Sequence, residues 1–451
     1  MQTRFAPERL AGRAIAAAES NIRKCVHCGF CAGTCPTYLL LGDERDSPRG
    51  RIYLIKEMLE NDRPANQTVA THIDRCLSCL ACTTTCPSGV DYGQLVDQAR
   101  EHIEQTYRRP LTDRLMRAAL SGLLTRPRLF RLALIVHAPM RALTGAAVAA
   151  FARLAPKNLL IKRLKALSHL APARLSATTR LPAISRPPEK PGAPRTNSAP
   201  RKRVALLAGC VQQAVAQHIN EATLRLLTRH GVEVFVDPQT ACCGGLPFHI
   251  GKGARARTLA RRTIDAWTRL AETEQLDAIL INMSGCGTTV KHYAEMLADD
   301  PAYTGKAAAI AKLTMDVTEF LGGIDLAPAK LPAGLTIAYH ATCSLQHGQR
   351  VIDPPKQLLA ATGAHIVEPT DAHLCCGSAG VYNILQPDMA SALRERKAER
   401  LRALKPDMIA SGNLGCMMQL AQSLDVPLVH TVELLDWATG GPAPKGVTPT
   451  V

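Results

Sequence analysis

The chain repeats one cysteine pattern, KCVHCGFCAGTCP at residues 24–36 and RCLSCLACTTTCP at residues 75–87. Each copy reads C-x2-C-x2-C-x3-C-P, so three cysteines fall close together and a fourth stands directly before a proline. This spacing is typical of proteins that hold two [4Fe–4S] clusters, in which the fourth cysteine of each copy binds the cluster of the other copy. The pattern therefore predicts a pair of clusters with crossed ligand sets.

The crossed assignment names eight ligands. The first [4Fe–4S] cluster takes Cys25, Cys28, Cys31 and Cys86, and the second takes Cys76, Cys79, Cys82 and Cys35. Soft thiolate ligands suit iron–sulfur chemistry, and four of them per centre leave no open position for a substrate. Zinc ribbons are the alternative, but they use two C-x2-C pairs at a longer separation. Clusters are therefore the favoured interpretation.

The composition is that of a globular protein. The 451 residues are 46% apolar and 20% charged, and a chain of this length forms about two to four domains. The 16 cysteines all belong to repeated patterns, which argues for metal binding and against a disulfide scaffold. Thiolate-bound clusters need a reducing compartment, and residues 1–20 lack the apolar core of about 7–15 residues found in secretory signals. We therefore expect a cytoplasmic protein.

The formal net charge of +16 is concentrated in one segment. Residues 108–203 contain 21 Lys or Arg against two acidic residues, whereas the remainder carries 33 basic and 36 acidic residues. This local excess indicates a partner surface and not a property of the whole protein. No nucleic-acid partner is expected.

Helical patterns organise the region before residue 182. Apolar residues at positions 52, 54, 55, 58 and 59 follow Ser47-Pro48 with helical spacing, so residues 1–106 are predicted to form a helical two-cluster domain. Residues 107–181 predict basic amphipathic helices. Their longest uncharged run, 142–152, has 11 residues, whereas a membrane-spanning helix needs about 20. These helices either lie on an anionic membrane or a partner, or pack on the neighbouring domains with the basic face in solvent.

The remaining sequence contains a linker and a duplication. Residues 182–203 are rich in Pro, Ser and Arg and predict a flexible linker. Residues 204–330 and 331–451 then repeat one alternation of strands and helices, which predicts parallel α/β units. Three cysteines recur after 133 residues and a fourth after 130, as an internal duplication requires. The predicted fold class is thus α+β multidomain: a helical two-cluster domain, a basic helical segment and two duplicated parallel α/β domains.

Each half contributes a cysteine from a strand end, a Cys-Cys-Gly turn and a cysteine at a helix start. Such turns gather at the carboxyl ends of parallel strands, so we expect one metal site in each half. The first thiolate site comprises Cys210, Cys242, Cys243 and Cys286, and the second comprises Cys343, Cys375, Cys376 and Cys416. Zinc and a further iron–sulfur centre suit four thiolates equally. His249, His340 and His373 are candidates for ligands or supporting residues and are assigned to neither site.

The chain resembles a known family. Besides the two cysteine runs, the matching stretches include DSPRGRIYLIKEMLE, CCGGLPFH, CCGSAGVYNILQP and SGNLGC. The two halves resemble the cysteine-rich CCG domains of the heterodisulfide-reductase superfamily. The whole chain, with its ferredoxin-like domain first, resembles the iron–sulfur subunits of glycolate oxidase (glycolate dehydrogenase). In the heterodisulfide-reductase pattern the last cysteine of each half belongs to C-x-x-C; Cys286 and Cys416 do not, which argues against disulfide-reducing chemistry.

The resemblance implies an oxidoreductase subunit with no catalytic residues of its own. FAD-containing glycolate oxidase subunits would oxidise glycolate to glyoxylate. This chain would pass the electrons through two [4Fe–4S] clusters to an acceptor such as quinone, at the inner face of the cytoplasmic membrane. The alternatives are the iron–sulfur subunit of a lactate or glycerol-3-phosphate dehydrogenase, a disulfide reductase acting at the CCG sites, and a zinc-bearing anchor. Arg49 and Arg51 are interpreted as steering an acidic partner or as solvated surface arginines.

Overall fold

The structure is a computed structural model that describes residues 1–172, 175, 180–188, 202–327 and 329–447. The region up to residue 106 is helical. Its helices are α1 (Pro7–Leu10), α2 (Arg13–Lys24), α3 (Pro36–Leu41), α4 (Pro48–Glu60), α5 (Gln67–Asp74), α6 (Ala81–Thr85) and α7 (Tyr92–Thr106). The first cysteine run therefore connects α2 with α3, and the second run connects α5 with α7 and contains α6.

Helix α4 lies between the two runs, where the apolar spacing predicts it. Ser47 caps the helix, because its hydroxyl accepts a hydrogen bond from the Gly50 N–H, and Pro48 fits the first turn, where its missing N–H is not needed. The buried face of α4 packs with α2, α5 and α7 in one hydrophobic core. Among its core side chains are Ile52, Ile55, Met58 and Leu59.

Four helices connect the cluster-binding region with both halves of the duplication. They are α8 (Leu111–Leu124), α9 (Pro127–His137), α10 (Arg141–Leu154) and α11 (Leu159–Leu170). Part of the basic charge of this segment is buried. Arg117 pairs with Asp74 and Asp113, at 2.9 Å each, and Arg163 pairs with Asp113 at 2.8 Å. Within the described part of the chain no single helix can span a membrane, although α9 and α10 together, bent by 78°, have the necessary length and composition.

The first half of the duplication contains a five-stranded sheet. Its strands are β1 (Ile184–Ser185), β2 (Arg203–Leu207), β3 (Glu233–Phe235), β4 (Ala278–Ile281) and β5 (Thr314–Asp316), in the order β1-β3-β2-β4-β5. All pairs are parallel except β1 with β3. The helices are α12 (Cys210–Val215), α13 (Gln217–Arg229), α14 (Gly245–His249), α15 (Gly253–Glu274), α16 (Ser284–Lys291), α17 (Tyr293–Met296), α18 (Thr304–Leu313) and α19 (Val317–Leu321).

The second half repeats the central part of this topology. Its strands are β6 (Thr336–His340), β7 (His365–Val367), β8 (Met408–Ser411) and β9 (Leu428–His430), all parallel, in the order β7-β6-β8-β9. Its helices are α20 (Pro354–Ala360), α21 (Tyr382–Leu385), α22 (Pro387–Arg402), α23 (Leu414–Leu420) and α24 (Thr431–Ala438), and a π-helical turn spans Ser344–Gln349. The predicted duplicated α/β fold is confirmed, and β5 and β9 add a strand to each half that the apolar patterns did not indicate.

The linker prediction needs a correction at its two ends. Ile184 and Ser185 form a strand that pairs with Phe235 and Val234, and Arg203 begins β2. The physical reason is that β3 would otherwise be an unpaired sheet edge, which the short antiparallel strand covers. Residues 189–201 of the predicted linker lie outside the described residues.

The two halves share a core. Helix α24 of the second half packs against α13 of the first, and Val432 and Leu435 belong to the same hydrophobic cluster as Leu226 and Leu227. Asp436, almost completely buried, accepts hydrogen bonds from Arg225 and Arg229 across the contact. This contact fixes the two thiol-bearing sheets relative to each other.

Candidate metal centres

The two cysteine runs line two adjacent cavities. The four cysteines of one crossed ligand set lie around each cavity. The first cavity is lined by Cys25, Cys28, Cys31 and Cys86, and also by Cys82, which borders both cavities. The second is lined by Cys35, Cys76, Cys79 and Cys82. We call these sets the first and the second cluster quartet. Four thiols around one cavity are the donor set that a [4Fe–4S] cluster requires, so the residues present fit the predicted groups.

The backbone of the two runs is shaped in the same way. The residue before the second cysteine of each run has a positive φ, +56° at His27 and +51° at Ser78. The residue after it does as well, +88° at Gly29 and +62° at Leu80. Positive φ is costly for residues other than glycine and persists where the surrounding structure requires it. Here it turns both runs tightly, so that three thiols of each run face one cavity.

The two quartets differ in exposure. In the first quartet Cys28 is exposed and Cys31 and Cys86 are half-buried. In the second quartet all four cysteines are buried. Burial raises the pKa of the Cys79 and Cys82 thiols well above the ordinary value, and it raises the pKa of Cys31 to about 11. A bound metal cation would release the protons of these thiols, because it stabilises the thiolate form.

Arg51 lies behind the second quartet, and both interpretations of it from the sequence are wrong. Its side chain is 1% exposed, because α4 turns it inward. The guanidinium donates hydrogen bonds to Thr37 Oγ1 at 2.9 Å, to the buried Asp46 carboxylate at 3.2 Å and to Cys35 Sγ at 3.8 Å. Arg51 therefore holds the second quartet in place and faces no partner.

Arg49 behaves differently, although it lies only two residues earlier on the same helix. Its side chain is about one-third exposed, pairs with Glu44, and donates a hydrogen bond to the His27 carbonyl at 3.3 Å. It also lines the cavity of the first quartet. Its position at the surface beside the first quartet is compatible with the predicted steering role.

The first thiolate site brings its four cysteines together as a chain of contacts. Cys210 begins α12 directly after β2, and its Sγ lies 3.3 Å from that of Cys242. The thiol of Cys243 interacts with those of Cys242 and Cys286, which raise its pKa well above the ordinary value. Interactions with Cys210 and Cys243 lower the pKa of Cys242 well below the ordinary value.

The second thiolate site has the same arrangement. The Sγ atoms of Cys343 and Cys375 are 3.8 Å apart, and the thiol of Cys376 interacts with those of Cys375 and Cys416. The glycine after each cysteine pair is required in both halves. Gly244 and Gly377 have φ of +83° and +86°, and a Cβ on either would meet a helix carbonyl, that of Ala256 or Ala390, at less than 3 Å.

Two further polar residues lie in or beside the second thiolate site. His340, at the end of β6, is 1% exposed, and a ring nitrogen lies within 4.8 Å of the sulfurs of Cys376 and Cys416. Lys397 of α22 is 3% exposed and donates hydrogen bonds to the carbonyls of Asp371 and Ala372. Burial and the positive charge of Lys397 lower the pKa of His340 to about 3. The ring is therefore neutral near pH 7 and retains a free nitrogen lone pair.

The other two candidate histidines have different surroundings. His249 contacts the Asp97 carboxylate at 3.2 Å, at the contact between α7 and the first half. The backbone carbonyl of His373 contacts the ring of His347. The spacing of the cysteines could not separate these three histidines. The signal for His340 is its position three residues before Cys343, at a strand end.

The centres lie next to one another in the fold. Cys79 of the second cluster quartet packs in one hydrophobic cluster with Cys375, and Cys343 borders that cluster. Tyr382 of the second half donates a hydrogen bond to the carbonyl of Arg75, the first residue of the second run. The two thiolate sites are linked in turn, because the Ser284 hydroxyl is 2.7 Å from that of Ser344 and accepts a hydrogen bond from the Asn413 amide. The second quartet thus adjoins the second thiolate site, and residues beside the two thiolate sites contact each other.

Known proteins share both kinds of cysteine region. Residues 21–90 match the 4Fe-4S dicluster domain, and residues 204–291 and 337–421 match the cysteine-rich domain family. The glycolate oxidase iron-sulfur subunit of Escherichia coli is 37% identical over 438 residues, which cover 97% of this chain and 99% of that protein. This chain belongs to the family of glycolate oxidase iron–sulfur subunits. As a member of the family it is an iron–sulfur electron-transfer subunit of an oxidoreductase, and the interpretation of the two runs as cluster-binding is confirmed.

Other relatives cover all or half of the chain. The probable glycolate oxidase iron-sulfur subunit of Bacillus subtilis is 31% identical over 94% of this chain and 95% of its own length. Lactate utilization protein A of Macrococcus caseolyticus is 26% identical over 52% of this chain and 96% of its own length. The glycolate oxidase subunits therefore match the order of regions over the whole length, whereas the lactate protein matches about half of it.

Proposed function

We propose that this protein binds two [4Fe–4S] clusters and carries electrons from an FAD-containing subunit, which oxidises glycolate to glyoxylate, to a membrane quinone. The observation that carries the proposal is the pair of adjacent cavities, which share Cys82 and each bring together the four cysteines of one crossed set. Glycolate is favoured over lactate or glycerol 3-phosphate because the glycolate oxidase relatives match along the whole chain.

The clusters supply one-electron transfer when bound, and the residues of the chain set the conditions for it. Hydrogen bonds to sulfur and exposure to solvent tune the reduction potential of such centres. Arg51 donates to Cys35 Sγ in the buried second quartet, whereas the first quartet lies near the surface with Cys28 exposed. The surface position makes the first quartet the natural point of contact with another subunit.

The proposed function is tested with the flavin subunit present. Adding glycolate anaerobically to the reconstituted complex is expected to bleach the visible absorbance of the clusters, while glycolate with this chain alone leaves it unchanged. Bleaching by lactate or glycerol 3-phosphate but not by glycolate would reassign the substrate. Reduction of a disulfide by the isolated chain would instead favour the disulfide-reductase alternative.

The surface around the first quartet is apolar and exposed. Val26 is 67% exposed and Phe30 is 65% exposed, and both lie between ligands of the first cluster. Large exposed apolar side chains next to a redox centre are typical of a docking surface. We place the flavin subunit on this face.

Replacement of Phe30 by aspartate is expected to weaken binding of the flavin subunit by about 30-fold, because a buried aromatic anchor contributes about 2 kcal/mol to an interface. Isothermal calorimetry or pull-down titration of the purified subunits measures it. Ile352→Asp is the matched control, since Ile352 is 49% exposed but lies in the second half of the duplication. Equal affinities of the Phe30→Asp variant and the unaltered chain would place the flavin subunit elsewhere.

A second exposed apolar face lies on the basic segment. We place this face against the inner surface of the cytoplasmic membrane. On α9 and α10 the exposed apolar side chains are Leu129, Leu132, Ile135, Val136, Leu143, Phe151 and Leu154. Arg126, Arg128, Arg153 and Lys157 are exposed on or next to the same helices. Apolar side chains enter the lipid interface, and neighbouring cations pair with anionic headgroups.

Charge introduced on this face is expected to release the protein from lipid. The triple variant Leu132→Glu, Ile135→Glu, Phe151→Glu should bind vesicles containing phosphatidylglycerol at least about 10-fold more weakly than the unaltered chain, a change of about 1.4 kcal/mol. Vesicle flotation measures the bound fraction, and Ile352→Glu serves as the control. Unchanged flotation of the triple variant would show that this face does not contact lipid.

A further inference from the structure

The two thiolate sites differ at one position of the repeat. Strands β2 and β6 have the same length and the same relation to the cysteine that follows, so Leu207 and His340 occupy equivalent positions at the strand ends. Leu207 packs in the hydrophobic core that surrounds the first thiolate site. A leucine at this position is thus compatible with the fold. The fold alone therefore does not explain the histidine of the second half.

The surroundings of His340 leave the hydrogen-bonding capacity of its ring nitrogens unused. Within the described part of the chain, neither Nδ1 nor Nε2 has a hydrogen-bond partner, although the side chain is 1% exposed. Burying an unpaired polar group costs about 1–3 kcal/mol, so such groups normally have a partner. The sulfurs of Cys376 and Cys416 lie close to the ring, and a ring nitrogen forms a group of three with them within 4.8 Å.

We propose that His340 is a nitrogen ligand of a metal centre in the second thiolate site. The first site then offers four sulfur donors, and the second offers four sulfurs and one imidazole nitrogen. A multi-iron centre can use all five donors, whereas zinc would use four of them. The second site, which adjoins the second cluster quartet, would thus have a neutral nitrogen donor that the first site lacks.

The test detects nitrogen bound to the metal in the full chain, purified anaerobically. Metal analysis of the unaltered chain and of the Cys375→Ser, Cys376→Ser double variant first identifies the metal of the second site. Pulsed EPR then detects nitrogen coupled to an iron centre, and X-ray absorption at the zinc edge detects a nitrogen scatterer if the metal is zinc. Growth with ¹⁵N-histidine should change the EPR coupling in the unaltered chain, which needs no substitution.

The substitution that completes the test is His340→Leu, because leucine occupies the equivalent position of the first half. The nitrogen signal should disappear in this variant and persist in His347→Leu, since both ring nitrogens of His347 already have partners, Thr84 and the His373 carbonyl. The eight cysteines of the cluster quartets are untouched, so glycolate-dependent bleaching tests the proposed function separately. A nitrogen signal that is absent from the unaltered chain or retained in His340→Leu overturns the proposal. A second site that binds no metal overturns it as well.

Discussion

Replacement of Cys35 by serine is expected to abolish the second [4Fe–4S] cluster and to leave the first in place. Cys35 belongs to the first cysteine run, but it lines the cavity that contains Cys76, Cys79 and Cys82. Iron bound by the two clusters should fall from about eight to about four atoms per chain. Transfer of electrons from the flavin subunit to quinone should fall by at least about 100-fold, because a relay with a missing centre is interrupted.

Double variants show whether the ligand sets are crossed. In the crossed arrangement Cys35→Ser with Cys76→Ser affects one cluster, so about four irons remain, whereas Cys35→Ser with Cys25→Ser affects both clusters. Iron analysis and low-temperature EPR of anaerobically purified protein measure the remaining centre. If the Cys35→Ser, Cys76→Ser variant instead lost both clusters, the ligand sets would not be crossed.

Replacement of Arg51 by methionine is expected to destabilise the region of the second quartet by about 1–3 kcal/mol, the cost of leaving a buried polar group such as the His72 carbonyl without its hydrogen-bond partner, while Asp46 keeps Arg75 and His72. Asp46 is completely buried and accepts from Arg51 at 3.2 Å, from Arg75 at 2.8 Å and contacts His72 at 2.9 Å. The variant also loses the hydrogen bond to Cys35 Sγ. The second cluster should therefore be lost more readily and have a lower reduction potential.

Hydrogen exchange is the appropriate measurement, because a chain with several domains does not unfold in one step. In the Arg51→Met variant, the backbone amides between residues 35 and 75 should exchange faster than in the unaltered chain. The increase in rate should correspond to the stability that this region loses. Arg49→Met is the matched control, since Arg49 lies on the same helix and pairs with the partly exposed Glu44. Exposed pairs contribute about 0–1 kcal/mol. Equal protection in the Arg51→Met variant and the control would show that the buried network does not stabilise the quartet.

Local sequence signals predicted much of the molecule correctly. Ser47, Pro48 and the apolar spacing after them predict α4, because capping and helical amphipathicity are properties of neighbouring residues. The apolar runs likewise predict β2, β4, β6 and β8, which are central strands buried on both faces. Strand β1 was missed because two residues in a Pro- and Arg-rich stretch carry no such signal, and their pairing with β3 is a long-range contact.

The sequence did not predict which charged side chains are buried and which are exposed. Arg49 and Arg51 differ by two positions on one helix, yet one is at the surface and the other is buried against Asp46. The choice depends on which face of α4 meets α5 and the second run, and that packing is tertiary. Arg117 and Arg163 are buried for the same reason, although the net charge of their segment suggests only an exposed basic surface.

The sequence by itself determined the cluster-binding pattern of Lys24–Pro36 and Arg75–Pro87, the duplication and the membership of each cysteine in a set of four. These properties follow from spacing, because metal ligands must lie at short and regular intervals along a turn. Only the tertiary structure decided that the second quartet adjoins the second thiolate site, that Arg51 faces Cys35, and that His340 faces Cys376 and Cys416. These contacts join residues far apart in the chain, and they exist only when the helical region and the two sheets pack together.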